Sequence, residues 1–368
     1  MIPTGTRLEV DLAALAHNFQ YLKSKISENT LFMSVIKANA YGHGMVRIAE
    51  KLQELGTDYF AVAYVEEAIE LREAGITKPI LVLHPQLHTL EDCFEHCIEP
   101  VIYSVKVLER FSAFAKAKSL QDYPIHLEFN TGLNRIGIDP EDLPKVIALL
   151  QRNSQINVRG LQSHLAASED HDEKEFTQSQ ISKFEELCDI VEQQLGYKCL
   201  RHTDNTSGIL NYSDSHYSMV RSGIGLYGYG NDINYDIHLR PVASLKSNIS
   251  QIRSIKKGES VSYNRSHKAE KDLKYAVIAL GHGDGINRIY GYGRANMLVN
   301  GKWAPTLGII CMDMFMVDVS SIECAVGDPV TIFDQNYPAR DMAEKAGTIS
   351  YELLTGIQKR VRRVYLNK

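Results

Sequence analysis

No stretch of this sequence is apolar for long enough to cross a bilayer, because every apolar run is short and broken by charge. The first residues lack a basic segment followed by an apolar core, so no secretory signal is expected. Positive charge is not in excess. The formal net charge is −5, with both signs interspersed, and no basic patch of the kind nucleic acid requires is visible. Cysteine is sparse, with six residues scattered at 93, 97, 188, 199, 311 and 324. That density does not suggest a disulfide scaffold and suits reduced thiols in a cytoplasm. Cys93 and Cys97 stand one helical turn apart near His88 and His96, but the spacing matches no strong zinc pattern. Packing on a helix is the plainer reading, and no metal is expected. Repeats, low-complexity tracts and disordered linkers are also missing.

What is present is enough material for two soluble domains: 368 residues, 44% hydrophobic and 23% charged. The most informative stretch is Phe32–Gly44, FMSVIKANAYGHG. An apolar, β-branched run stops at Lys37, and small residues, a tyrosine and glycines follow. This predicts a buried strand ending in a flexible loop with an ammonium group at its tip. Desolvation lowers a lysine pKa and makes the free amine available for a Schiff base. The alternatives are a lysine that snorkels out of the strand end or one that serves in an ion pair.

Asp11 is placed to cap a helix whose Leu12, Leu15, Phe19 and Leu22 share one face. From residue 31 onward, short apolar runs alternate with amphipathic segments. Strands are predicted at 31–37, 59–63, 79–83, 99–103, 125–130, 158–164, 199–204 and 219–225. Helices are predicted at 43–55, 65–75, 104–118, 139–152 and 173–195. Eight βα units over about two hundred residues suggest a (β/α)8 TIM barrel over 11–235. Lys37, His84, Glu128, Asn130, His164, His202 and Arg221 arrive late in their strands, where such barrels carry reactive groups. After residue 235 the pattern changes to short strands at 243–256, 260–263, 274–280, 296–300, 306–319 and 328–333, separated by Gly-Glu, Asn-Gly and Gly-Asp turns. A mainly β C-terminal domain over 236–368 is expected, with strand 6–10 joining it.

The run Met219–Gly228, MVRSGIGLYG, ends the eighth strand in glycines, which let backbone N–H groups approach an anion. The loops after strands seven and eight are the usual phosphate site of these barrels. Opposite a lysine on strand one, this suggests pyridoxal phosphate.

Over essentially its whole length the chain resembles the alanine racemases. The resemblance is carried by VIKANAYGHG (35–44), EFNTGLNRIG (128–137), Ser163-His164, Asp204-Asn205-Thr206, MVRSGIGLYG (219–228), Val261-Ser-Tyr263, Gly281-His-Gly-Asp284-Gly and Cys311-Met312-Asp313. It implies that Lys37 binds pyridoxal phosphate and that Tyr41, Thr206, Gly223, Ile224 and Tyr351 contact the phosphate, with His164 and Asn205 also in the cofactor site. It implies that Arg221 faces the pyridine nitrogen. Arginine cannot accept a hydrogen bond, so that nitrogen stays unprotonated and transamination is restrained. Two bases are implied, Lys37 for one face of Cα and Tyr263 for the other, with a chain from the tyrosine through His164 and Arg221 to His202. Arg135 and the Met312 N–H would hold the substrate carboxylate, with Cys311 and Asp313 in supporting positions.

The same resemblance implies a head-to-tail homodimer in which the tyrosine of one subunit serves the other. Three departures stand out. Glu128 replaces a lysine that many relatives carry as a carbamate. Its carboxylate is expected to supply that negative charge and to orient Arg135, unless it is a surface residue on a rim strand. Asn264 stands where glycine is commoner, and His282 replaces a tyrosine lining the substrate entrance. The function implied is interconversion of L- and D-alanine in the cytoplasm, supplying D-alanine for peptidoglycan. The rivals are a racemase for serine or a broader range, a decarboxylase of the same barrel class, and a non-catalytic cofactor carrier.

Overall fold

The computed structural model describes residues 5–367; Lys368, the last residue of the expected second domain, lies outside them. The chain divides into two compact units. Among the described residues, one holds 16–40 and 45–239, and the other holds 5–15, Tyr41–Gly44 and 240–367. The opening strand, β1 (Arg7–Asp11), belongs to the second of these. Asp11 caps the helix that follows, its Oδ1 accepting from Ala13 N–H at 2.9 Å and Ala14 N–H at 3.1 Å.

The first unit is built on eight parallel strands: β2 (Leu31–Val35), β3 (Tyr59–Val62), β4 (Ile80–Val82), β5 (Glu99–Ile102), β6 (Tyr123–Glu128), β7 (Ile156–Gln162), β8 (Leu200–His202) and β9 (Met219–Ser222). They pair in the order β8-β7-β6-β5-β4-β3-β2-β9. Ser218 N–H to Arg201 O (3.2 Å) and Arg221 N–H to Asp204 O (2.9 Å) join the two ends, so the sheet closes. Helices Met45–Glu54, Val65–Glu73, Val105–Ala117, Leu143–Gln151 and Lys174–Leu195 lie between strands, as the periodicity predicts. The 139–152 segment begins as a 3-10 turn, Pro140–Asp142, before its α-helix. A short helix, Leu90–Glu95, holds Cys93 buried, while Cys97 lies beyond its end and is exposed. Phe111, Phe129 and Phe184 anchor an aliphatic core with Leu127, Val158 and Leu161, each large side chain contributing about 1.5–3 kcal/mol by burial.

The second unit is a mixed sheet. Its later strands are β10 (Ala243–Ile255), β11 (Ser260–Val261), β12 (His267–Lys268), β13 (Leu273–Ile278), β14 (Asn296–Val299), β15 (Lys302–Leu307), β16 (Phe315–Asp318), β17 (Pro329–Phe333) and β18 (Arg362–Leu366). The main sheet runs β13-β16-β15-β14-β17-β10-β1-β18, and the long β10 pairs again with β13 through a bulge between Ile249 and Gln251. Strand β1 runs antiparallel to β10 and parallel to β18. The expected strand 306–319 is corrected to two, β15 and β16, with an irregular link that carries Cys311, Met312 and Asp313.

Candidate active site

The expectation that a strand ends at Lys37 is corrected. β2 stops at Val35, and Lys37 opens a single left-handed turn. Ala38, Asn39, Ala40 and Tyr41 have φ of 52°, 56°, 53° and 50°. For L-residues this conformation costs roughly 1–2 kcal/mol each, so the surroundings must enforce it. Glu67, at the start of a helix, does so. Its Oε1 accepts from Ala38 N–H at 2.6 Å, and its Oε2 accepts from Ala63 and Tyr64 N–H. Ala40 N–H donates to Ile36 O, and Asn39 Oδ1 accepts from Met45 N–H. Burial, followed by the Arg135 and Arg221 guanidiniums, holds the Lys37 ammonium below the ordinary lysine range against the pull of Glu67 and Glu128.

Arg221, on β9, is gripped from within the barrel. Its Nη1 donates to His202 Nδ1 and His202 O, each at 2.8 Å. Its Nη2 donates to Ser163 O at 2.7 Å and Thr203 O at 2.9 Å, and His164 Nδ1 lies at 3.4 Å. A guanidinium has five N–H groups. The one on Nε finds no acceptor among the described residues. Burial lowers the Arg221 pKa to about 10, which leaves it charged at neutral pH. Burial and the Arg221 charge push His164 and His202 well down, so both imidazoles are neutral. The expected links from Arg221 to His164 and to His202 are therefore present.

Glu128 is buried at the end of β6, not on the surface. The expected hydrogen bond to Arg135 is corrected: Glu128 Oε2 accepts from Gln162 Nε2 at 2.9 Å, and no ion pair to Arg135 exists among the described residues. Arg135 is exposed, in the loop after β6. Burial raises the Glu128 pKa, and Arg221, Gln162, Arg135 and Lys37 oppose that rise. The carboxylate thus faces three cations without pairing directly with one.

The glycine-rich turn after β9 sits against the start of helix Thr206–Asn211. Asn205 caps that helix, its Oδ1 accepting from Gly208 N–H at 2.9 Å and Ser168 Oγ at 2.8 Å. The Thr206 and Ser222 hydroxyls are 3.0 Å apart, and Gly225 N–H donates to Thr206 Oγ1. A Cβ on Gly225 would lie 2.6 Å from the Thr206 methyl, so only glycine fits there. The first N–H groups of a helical turn have no partner within it. Here those of the 3-10 turn Ile224–Tyr227 follow Gly223. Two hydroxyls and the first N–H of this turn, that of Ile224, make a cradle for an anion. A depressed amine, a guanidinium N–H without an acceptor and this cradle fit the aldehyde, ring nitrogen and phosphate of pyridoxal phosphate.

In the other unit Tyr263 is 69% exposed. It stands on a turn with three left-handed neighbours, Ser262, Asn264 and Arg265. Asparagine tolerates that conformation better than other side chains, which accounts for Asn264 where glycine is usual. Ser262 Oγ pins the turn, accepting from Ile309 N–H at 2.9 Å and donating to Ile309 O at 3.2 Å. Met312 O accepts from Gly283 N–H and Arg360 Nη2, while the Met312 N–H has no acceptor among the described residues. Arg360 also holds Asp284 and Asp313, at 2.7 and 2.9 Å. Cys311 O accepts from His282 N–H, so its part is to set this loop. The Tyr41 and Tyr351 rings lie 6.0 Å apart, and burial raises the Tyr41 pKa.

Sequence reasoning missed Glu67, Gln162, Ser222, His126 and Glu99. Glu67 sits at the third position of its helix, but Tyr64 stands at the N-cap where Ser, Thr, Asp or Asn would have marked the pattern. His126 lies within β6 and Glu99 opens β5, and a polar residue in a buried strand is a signal in itself.

Comparison with known proteins agrees along the whole chain. Residues 10–231 match the family described as alanine racemase, N-terminal domain, and residues 242–365 match alanine racemase, C-terminal domain. The chain is 36% identical to alanine racemase 1 of Clostridium acetobutylicum, over 97% of this chain and 94% of that protein. It superposes on the crystal structure of alanine racemase from D-cycloserine-producing Streptomyces lavendulae with a TM-score of 0.93 and 30% identity, covering 100% and 98% of the two chains. The alanine racemase from Bartonella henselae with covalently bound pyridoxal phosphate gives a TM-score of 0.89 at 28% identity, covering 99% and 100%. On the match of both domains in order, the chain belongs to the alanine racemase family.

Proposed function

We propose that this chain is a pyridoxal-phosphate-dependent racemase that interconverts L- and D-alanine. The observation that carries the reading is the Arg221 clamp, which leaves the Nε–H of the guanidinium for a ring nitrogen while both flanking histidines stay neutral. Lys37 would hold the cofactor aldehyde, and Thr206, Gly223 and Ile224 its phosphate. Tyr41, Tyr351, His164 and Asn205 take cofactor roles on the family resemblance. When bound, pyridoxal phosphate supplies an electron sink that acidifies the Cα proton of an amino acid. Arg221 only donates, so it leaves the ring nitrogen unprotonated and moderates that sink. Lys37 Nζ and Tyr263 Oη are assigned the proton at Cα, one on each face. A depressed amine suits this work, because a base acts best near the operating pH. Arg135 and the Met312 N–H are assigned the carboxylate, and Glu128 offsets the local positive charge.

Residues 11–235 are assigned the cofactor. Residues 236–368, with strand 6–10, are assigned the tyrosine. Tyr263 is exposed, which suits a head-to-tail homodimer in which each copy completes the other's site. A cytoplasmic enzyme feeding peptidoglycan synthesis follows from the resemblance. No helix among the described residues is long and apolar enough to cross a membrane. The test is an absorbance scan of the purified protein together with loss of optical rotation from L-alanine. A colourless protein that leaves L-alanine unchanged would overturn the reading. Asn264 and His282 favour one second reading, a racemase that also takes L-serine or larger amino acids. Comparing kcat/KM for L-alanine, L-serine and L-lysine separates the two. Arg221 speaks against a decarboxylase, and the exposed Tyr263 against a passive carrier.

A further inference from the structure

The His202 ring does not end the polar chain that begins at Arg221. Its Nε2 lies 2.9 Å from His126 Nδ1, and His126 Nε2 lies 3.0 Å from Glu99 Oε2. The other oxygen of Glu99 accepts from Arg159 Nη1 at 3.1 Å. His126 and His202 are fully buried and Glu99 nearly so. The proton positions follow from one end. Arginine only donates, so His202 Nδ1 accepts and its proton must sit on Nε2. His126 Nδ1 then accepts, which places the His126 proton on Nε2, pointed at a carboxylate that only accepts. Every bond in the chain runs in one direction. The fold makes room for it: His126 on β6 reaches His202 on β8 across β7 at Gly160, where a Cβ would lie 2.1 Å from His126 Nδ1. The Tyr59 ring packs edge-on against His126 at 6.3 Å.

We propose that His126 and Glu99 are positioning residues for catalysis, fixing His202 as the Nε2–H tautomer so that its Nδ1 aims the Arg221 guanidinium at the cofactor ring. No proton has to travel along the chain. The inference rests on the proposed racemase function, but its first test does not.

Long-range 1H–15N spectra of the full-length protein labelled with 15N-histidine report which ring nitrogen holds the proton. Both His126 and His202 are expected to be protonated at Nε2 alone. A proton on Nδ1 of either ring overturns the proposal, whatever the activity. In the second test, His126→Phe keeps the volume and deletes both nitrogens. Loss of one hydrogen bond acting through a charged group is expected to lower kcat about tenfold in both directions, with KM for alanine and cofactor content unchanged. His126→Asn places an amide oxygen near the position of Nδ1 and is expected to recover most of that loss. A folded His126→Phe with the kcat of the parent overturns the proposal, as does an Asn variant no faster than the Phe variant. If the Phe variant does not fold, the Asn variant and the tautomer spectrum still decide. A parent protein that does not racemise alanine would sink the proposed function and leave the tautomer result standing.

Discussion

Asp204 gives the sharpest test of the electrostatics beneath the phosphate cradle. Its carboxyl is fully buried. Oδ1 accepts from Thr203 Oγ1 at 3.0 Å and Ser215 Oγ at 2.8 Å, while Oδ2 has no hydrogen-bond partner. His216 Nε2 is 3.9 Å from Oδ2 and is turned to Ile209 O. Burial pushes the carboxyl up to about 7, with Ser215, Thr203 and Arg221 only partly opposing it. The sign follows directly. The folded state holds this proton more tightly than the unfolded chain, so the group's contribution to stability is full below pH 4 and lost as the pH rises to about 7. Between pH 5 and pH 8 the loss amounts to about 3 kcal/mol. Asp204→Asn keeps the Oδ1 acceptor and cannot ionise. Urea unfolding of both proteins, followed by far-ultraviolet circular dichroism at several pH values, isolates the effect, because other titrating groups cancel in the difference. Asp204→Asn is expected to be less stable than the parent at pH 5, since two amide N–H groups replace the single O–H of the protonated carboxyl at a position with no acceptor. It should gain about 3 kcal/mol relative to the parent by pH 8. A difference that stays flat from pH 5 to pH 8 would refute the reasoning, because Asp204 would then be ionised throughout.

Other substitutions probe the chemistry. Lys37→Ala should abolish the chromophore that borohydride normally traps, and labelling of a different lysine would reject Lys37. Tyr263→Phe should suppress solvent deuterium exchange into L-alanine by at least about a hundredfold while leaving exchange into D-alanine far less affected; equal loss in both would contradict two face-specific bases. With Arg221→Glu the ring nitrogen can hold a proton, so racemisation should fall and pyruvate from transamination should rise, measured as product partitioning. Glu128→Gln keeps an acceptor for Gln162 but removes the anion facing Lys37, Arg135 and Arg221. KM for alanine should rise about tenfold with cofactor content kept, and activity of the parent should not respond to dissolved carbon dioxide.

The strands β2, β3 and β4 were legible because a parallel sheet covered on both faces reads as apolar runs, while β7 and β8 carry several polar residues and were marked mainly by their spacing. The strand Arg362–Leu366 was not, since it is only half-buried and opens with two arginines. The left-handed turn after Lys37 has no compositional mark, because Ala38 and Ala40 are residues that normally avoid it. Which chain segments carry chemistry could be read from short motifs. The partner of Glu128 could not, because Arg135 is seven residues away in sequence while Gln162 is its neighbour across the sheet. The Glu99–His126 extension was not legible because the two residues are 27 positions apart, and only the pairing of β5 with β6 brings them together.

The strained turn has an evolutionary consequence. Glycine relaxes a left-handed backbone, so Ala38→Gly and Ala40→Gly belong to the small set of changes that a search for heat-resistant variants would favour. Glu67 accepts from the backbone N–H of residue 38, which glycine keeps, so its grip on the segment that carries the reactive amine survives the change. The two alanines are therefore places where robustness can rise beside the reactive amine without altering a side chain that does chemistry.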